Sequence, residues 1–214
     1  MNTTFGIGIP TLNRYDWLLP ALHYYSKHDF TNTNIHIIDN GDQGIVNNYG
    51  ELVEVENAKW KNLSVAASWN RLCQKIFTYA DYAMILNDDI YFGRKQFEVE
   101  LLLHQHKFDL YLSHNHWSVF IIPKATYIKV GQFDEDFYPA YYEDNDYMYR
   151  MRLKGMEPAR LNFLNPVVYN NSQTLLADPT IKPLISVNKS RYIAKWGGEP
   201  DQESFLIPYN ITKQ

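Results

Sequence analysis

The sequence holds a single cysteine, Cys73, among 214 residues. That excludes an internal disulfide and suits a reducing compartment. Long apolar runs are missing as well: no window approaches the ~18 consecutive apolar residues of a membrane-crossing helix. There is no basic block, and the formal net charge is −4, which argues against nucleic acid or an anionic membrane as the main partner. Met1-Asn2-Thr3-Thr4-Phe5 lacks a charged n-region, so no signal peptide is read and a soluble, cytoplasmic protein is expected. The Asn-x-Ser/Thr sequons at Asn62 and Asn188 are accordingly read as chance. Several motifs are also absent. No G-x-x-x-x-G-K-S/T or G-x-S-x-G occurs, and Gly6-Ile7-Gly8-Ile9-Pro10-Thr11 breaks the G-x-G-x-x-G pattern. Phosphate-loop, serine-hydrolase and nicotinamide-site readings fall away.

What is present is a globular composition, 45% apolar and 15% aromatic, enough for a sizeable core. Phe5 to Ile9 reads as a strand closed by Pro10, and Tyr15 to Tyr25 as a helix with Leu18, Leu19 and Leu22 at helical spacing. Ile35 to Ile38 reads as a second strand ended by the turn Asp39-Asn40-Gly41. Ser64 to Tyr79 reads as a helix, and Tyr82 to Leu86 as a third strand. This β-α-β-α-β order predicts parallel strands and right-handed crossovers. Later segments are a helix from Phe97 to His106, short strands at Leu110–Leu112 and Val119–Ile122 around a polar loop, and a helix from about Asp144 to Lys154. The tail beyond Leu161 shows only scattered apolar runs. One domain is expected, with residues 1–92 as a ligand-binding half and 93–214 as a second, site-completing half. The reading leaves open that it is the first domain of a longer polypeptide.

Two acidic constellations carry the chemistry. Asn87-Asp88-Asp89 follows the third strand, so two adjacent carboxylates stand at a strand end. Like charges there need water, donors or a cation, and Mg²⁺ or Mn²⁺ with one or two carboxylates plus substrate phosphates is the metal reading; a solvated, helix-capping turn carries about equal weight from spacing alone. Between Phe133 and Asp146, six carboxylates stand among rings and Pro139. Desolvation among rings raises carboxylate pKa toward general-base values, while an acidic helix start is the plainer account. Asp146 and Arg150 are spaced to pair along that helix. His114 and His116 with Trp117 form a polar-aromatic loop without a third zinc-type ligand.

Together these segments resemble the inverting glycosyltransferases of the GT-A fold, family 2 and its relatives. Pro10-Thr11-Leu12-Asn13-Arg14 is similar to the family's Pro-Thr-x-Asn-Arg opening, and Asp39-Asn40-Gly41 to its Asp-Asn-Gly/Ser step. The run from Asn62 to Asn70 resembles its Asn-x-Gly-x-Ala-x-x-x-Asn helix start, and Asn87-Asp88-Asp89 stands where its Asp-x-Asp metal motif belongs. Gly131-Gln132-Phe133-Asp134-Glu135-Asp136-Phe137, Tyr142-Glu143-Asp144-Asn145-Asp146 with Arg150, and Lys195-Trp196-Gly197 complete the pattern. The resemblance implies a metal-dependent transferase of hexosyltransferase type, with a Rossmann-like, mainly parallel sheet, moving a sugar from a UDP-sugar to a saccharide or glycoconjugate hydroxyl. It implies that Pro10, Thr11, Asn13, Arg14, Asp39, Asn70, Asn87 and Asp88 bind the donor nucleotide, and that Asp89 binds Mn²⁺ or Mg²⁺. His116, Trp117, Tyr142 and Glu143 would hold sugars, with Asp144 the general base. Three departures stand out: Asn87 for the first Asp of the metal motif, Ser64 for a common Gly, and Asn170 or Asn171 where relatives carry a metal-binding His. A non-catalytic nucleotide-sugar or glycan-binding module is the alternative.

Overall fold

Phe5–Thr11 (β1) buries Phe5, Ile7 and Ile9 with the glycines between them, and a strand buried on both faces belongs inside a parallel sheet. In the computed structural model it does. The structure describes residues 4–41, 44–45, 49–58, 61–114, 117–169 and 180–211. After β1 come a helix Tyr15–Tyr24 (α1), which runs on into a π-helical turn, and strands Ile35–Asp39 (β2) and Val53–Asn57 (β3). Val65–Ile76 (α2), Tyr82–Leu86 (β4), the short Ile90–Tyr91 (β5) and Gln96–Gln105 (α3) follow. The second half contains Leu110–Ser113 (β6), Val119–Pro123 (β7), Lys124–Val130 (α4), Glu143–Arg152 (α5), Pro158–Leu161 (β8), Val168–Tyr169 (β9) and Ile181–Trp196 (α6).

The main sheet runs β3-β2-β1-β4-β7-β6-β8. The first four of these are mutually parallel, as expected. β7 is inserted antiparallel to both β4 and β6, and β8 lies parallel to β6. Strand alternation divides the core into two layers. Ile7, Ile9, Met84, Leu86 and Ile121 face one side with Leu18, Leu22 and Leu103 of α1 and α3. Ala83, Ile85, Phe120 and Ile122 face the other with Leu72 and Ile76 of α2 and Met151 of α5. Gly8 has a packing role. A Cβ there would stand 2.8 Å from Ile85 Cδ1 and 3.0 Å from Leu72 Cβ, so its absence lets α2 lie close on the sheet.

Six elements were not expected: β3, β5, α4, β8, β9 and α6. β3 is an edge strand of alternating Val and Glu, its charges paired outward: Glu56 with Arg71, and Glu54 with Lys75. α4 and β8 are short. α6 escaped because its buried face is largely polar or aromatic: Ile181, Asn188, Tyr192, Lys195 and Trp196.

That face holds α5 in place. Asp146, fully buried, accepts from Arg150 Nε at 2.8 Å, Lys195 Nζ at 2.6 Å and Trp196 Nε1 at 2.8 Å. Lys195 also reaches Asp134 at 2.6 Å, and Arg150 Nη1 donates to the Val130 carbonyl at 3.1 Å. The expected Asp146–Arg150 pair is thus one arm of a larger buried network. Removing one member of such a network leaves uncompensated charge. Asp146→Ala is expected to lower stability by roughly 3–5 kcal/mol in urea unfolding; a loss below about 1 kcal/mol would show that α5 is held by apolar packing alone.

Candidate active site

The sheet register assembles one wall of the site. β1 pairs with β2 so that Thr11 faces Asp39, and with β4 so that Gly8 faces Ile85. Carried three residues further, the second register brings Thr11 level with Asp88. The Leu12 amide donates to Asp88 Oδ2 at 3.3 Å. On the far side of β4, Leu86 pairs with Val119 and the Asn87 amide donates to the Ser118 carbonyl at 2.9 Å, which sets Trp117 and Ser118 beside the carboxylates. β5 pairs with β9, Ile90 opposite Tyr169, directly after Asp89.

The opposite wall is the loop that leads into α5. It contains a cis Tyr138–Pro139 peptide and two consecutive left-handed residues, Tyr141 (φ 75°) and Tyr142 (φ 76°). Non-glycine residues in that region cost of order 1–3 kcal/mol each, and surrounding structure must hold them. Asn188 of α6 does so. Its buried Nδ2 donates to the carbonyls of Ala140 at 2.8 Å, Tyr138 at 3.2 Å and Tyr141 at 3.3 Å. The loop then delivers Glu143 and Asp144 as the first residues of α5. An aromatic column braces the floor: Trp117 stacks on Trp69 (5.9 Å between centroids), Trp69 meets Phe133 edge-on (5.0 Å), and Phe133 stacks on Tyr147 (4.2 Å).

Between the walls lies a cleft of about 270 Å³. It is lined by Pro10, Thr11, Asn87, Asp88, Asp89, Trp117, Glu143 and Asp144, so eight of the residues singled out in the sequence converge on one space. Ser64, Trp69, Tyr141 and Ile181 also line it. Ser64 caps α2 through its Oγ, 3.2 Å from the Ala67 amide, yet adopts φ 89°. That is a conformation glycine favours, at the position where the resemblance expects glycine.

The structure keeps other predicted residues out of the cleft lining. Asn70 lies outside the lining: its Nδ2 donates to the Phe133 carbonyl and Glu135, both at 2.9 Å, and its Oδ1 accepts from the Phe133 amide at 2.8 Å and Tyr127 Oη at 3.1 Å. All its hydrogen-bonding capacity is used in tying α2 to the turn before α5, and none remains for a donor. Asp39 is buried and holds its own turn, accepting from Tyr15 Oη (2.8 Å) and from the amides of Gly41 and Ile45 (2.9 Å each). Asn13 lies against Gly41, and Arg14, which pairs with Asp16 at 3.6 Å, stands near enough to Asp88 to act on its charge. Tyr142 packs on Tyr192 (5.6 Å) instead of facing the cleft. His116, Asn170 and Asn171 lie outside the described residues. Trp69 and Tyr141 went unnoticed because an aromatic on an apolar helix face, or a tyrosine in a segment with four other aromatic rings, looks like core.

The carboxylates of the cleft are held away from their ordinary values. Burial pushes Asp88 up to about 7; neighbouring Asp89 adds to this, while the Thr11 hydroxyl, the Leu12 amide and Arg14 oppose it. Burial lifts Glu143 well above the carboxylate range, with Asp144 reinforcing the shift. Burial also raises Asp144, against the pull of the Asn145 amide and its own. Both members of this pair resist charge, and the more deeply shifted Glu143 keeps its proton longer.

No protein-family model matches the sequence, and no curated protein does either. Solved structures do. S. aureus TarS superposes with a TM-score of 0.63 at 12% identity, over 90% of this chain and 44% of that one. Residues 1–349 of TarS in complex with UDP give 0.57 at 11%, over 87% and 65%. The mannosyltransferase PcManGT from Pyrobaculum calidifontis, in complex with GDP-Man and Mn²⁺, gives 0.60 at 8%, over 87% and 69%. The fold is GT-A. The chain spans less than half of the longer TarS chain. No helix among the described residues is long and apolar enough to cross a membrane.

A GT-A fold implies a divalent cation, and the donor set can be tested for it. Among the described residues no three His, Cys, Asp or Glu side chains converge as a self-sufficient metal site. Asp88 and Asp89 at the β4 end are instead two hard oxygen donors lining one cleft. That fits Mg²⁺ or Mn²⁺, which are commonly held by one or two carboxylates together with substrate phosphates.

Asp88 generates a pH prediction for the ligand-free protein. Its folded value, about 7, lies above the ordinary 3.8, so the folded state binds more protons between those limits. The associated stability is fully present below the unfolded value and is lost as pH rises through about 7. Asp88→Asn is therefore expected to gain thermal stability relative to wild type between about pH 5 and pH 8, measured without divalent cations. A difference that does not change with pH would mean that Asp88 is not desolvated.

Proposed function

We propose that the protein is an inverting glycosyltransferase that moves a sugar from a UDP-sugar to a hydroxyl of a saccharide or glycoconjugate. The observation that carries this is the meeting of two acid pairs in one cleft, Asp88–Asp89 from a strand end and Glu143–Asp144 from a helix start. The likeness to structures holding UDP, or GDP-Man with Mn²⁺, supports a nucleotide-sugar ligand.

In this reading the nucleotide lies over the β1 end, against Pro10 and Thr11. The diphosphate approaches Asp89, with Asp88 behind it, and those two residues would hold the cation. Held there, it would supply positive charge to offset that of the departing diphosphate. Trp117 gives the sugar an apolar face, and Glu143 lines the same cleft where it can hydrogen-bond one of its hydroxyls. Asp144 accepts the proton of the acceptor hydroxyl as its oxygen attacks the anomeric carbon. A new C–O bond forms, the bond to the diphosphate breaks, and the single displacement inverts the anomeric centre. Burial raises Asp144 above the ordinary aspartate value, the direction that strengthens a general base.

Asp144→Asn is expected to lower the rate of UDP release from a UDP-sugar by roughly 10²–10⁴-fold while leaving UDP affinity within a factor of about three. Turnover close to wild type would remove Asp144 as the base. A second reading, a nucleotide-sugar-binding module without transfer, is favoured by Asn87 in the metal motif and by the lack of a three-ligand cluster among the described residues. Such a module would bind UDP-sugar and release no UDP with or without Mn²⁺.

A further inference from the structure

Asp144 and Trp117 line two cavities. Behind the donor cleft a second space of about 280 Å³ opens, bounded also by Asn145, Met148, Arg152, Arg160, Tyr192, Asp201 and Glu203. A general base must touch the attacking hydroxyl on one side and face the reacting carbon on the other. The residue proposed as base stands at the junction of the two spaces, so the second one is where an acceptor can reach it.

The charges around this second cavity do not cancel uniformly. Arg152 is paired with Asp201, and Glu203 accepts from the Tyr192 hydroxyl, so these groups already have partners. Arg160 differs. It sits on β8, opposite Leu112 of β6, with its side chain exposed, and its one described bond is a 3.4 Å donation to the His114 carbonyl. No carboxylate among the described residues forms an ion pair with it. A guanidinium presents five N–H donors in a planar fork that matches the oxygens of a carboxylate or phosphate. Most of that fork is open here.

We infer that the second cavity is the acceptor site and that Arg160 reads an anionic group, carboxylate or phosphate, on the acceptor saccharide. This rests on Asp144 being the base of the transfer reaction. The acceptor's hydroxyl would lie at Asp144, its ring beside Trp117, and its anionic group at Arg160. Arg160 is then a specificity residue, remote from the bonds that change.

Glucose, glucuronate and glucose 6-phosphate share a ring and differ only at the sixth carbon. Their affinities can be measured by ligand-observed NMR on the full chain with UDP and Mn²⁺ present. Wild type is expected to bind one or both anionic sugars roughly tenfold more tightly than glucose, and which of the two gains identifies carboxylate or phosphate. Arg160→Ala should bring all three to the same affinity without altering UDP affinity; Arg160→Lys should retain part of the preference. Exposure of Arg160 makes misfolding an unsuitable explanation for a change, and UDP titration of each variant checks this. Equal binding of the three sugars by wild type, or a preference that survives Arg160→Ala, overturns the proposal while UDP binding stands. Failure of wild type to bind UDP overturns the donor reading, and this one with it.

Discussion

The buried carboxylate of Asp146 is the point on which the second half of the molecule depends. It gathers a guanidinium, an ammonium and an indole N–H from two helices, and its partner Lys195 carries the link on to Asp134. Buried ion pairs are weak evidence for net stability, because desolvation offsets much of the attraction. Their value here is geometric. Side chains that all need one another allow few alternative registers of α5 against α6, and the register decides where Glu143 and Asp144 point. Asn188, on the same face of α6, then holds the left-handed turn that precedes them. A sequon at a buried, hydrogen-bonded asparagine agrees with the reading of Asn188 as a chance match.

The first half reaches the cleft by a different route. Parallel strands end together, so backbone register alone aligns Asp39, Thr11 and Asp88 along one edge. The carboxylates at that edge are costly. Asp88 is desolvated, and burial makes Glu143 and Asp144 across the cleft resist ionisation as well. A ligand that brings positive charge or hydrogen-bond donors would relieve this, which is consistent with the proposed nucleoside diphosphate and its cation.

Much of this was legible in the sequence, for identifiable reasons. Apolar runs fixed β1, β2 and β4, and helical spacing fixed α1 and α2, because those elements bury apolar faces. The acid pairs stood out since adjacent charges at a strand end or among rings need an explanation. β3 was hidden by its edge position, which leaves only Val53 fully buried in a strand of alternating Val and Glu. α6 was hidden because its working face is Asn188, Tyr192, Lys195 and Trp196, and the bonds of Asn188, Lys195 and Trp196 to the α5 region reach partners 47 to 61 residues away in the chain, a relation no local period expresses. Asn70 is a like case. Its amide bonds the backbone of Phe133 in the turn before α5, a long-range role that its place in a helix-start motif does not express.

In the proposed reading the strand-end carboxylates receive a metal-accompanied nucleoside diphosphate. Isothermal titration of UDP into the protein, with Mn²⁺ and again with EDTA, for wild type and for Asp89→Asn, addresses it most directly. The account predicts that UDP binds wild type substantially more tightly with Mn²⁺ and that Asp89→Asn loses this dependence. Equal UDP affinity in Mn²⁺ and EDTA, or a dependence unchanged by Asp89→Asn, would contradict it.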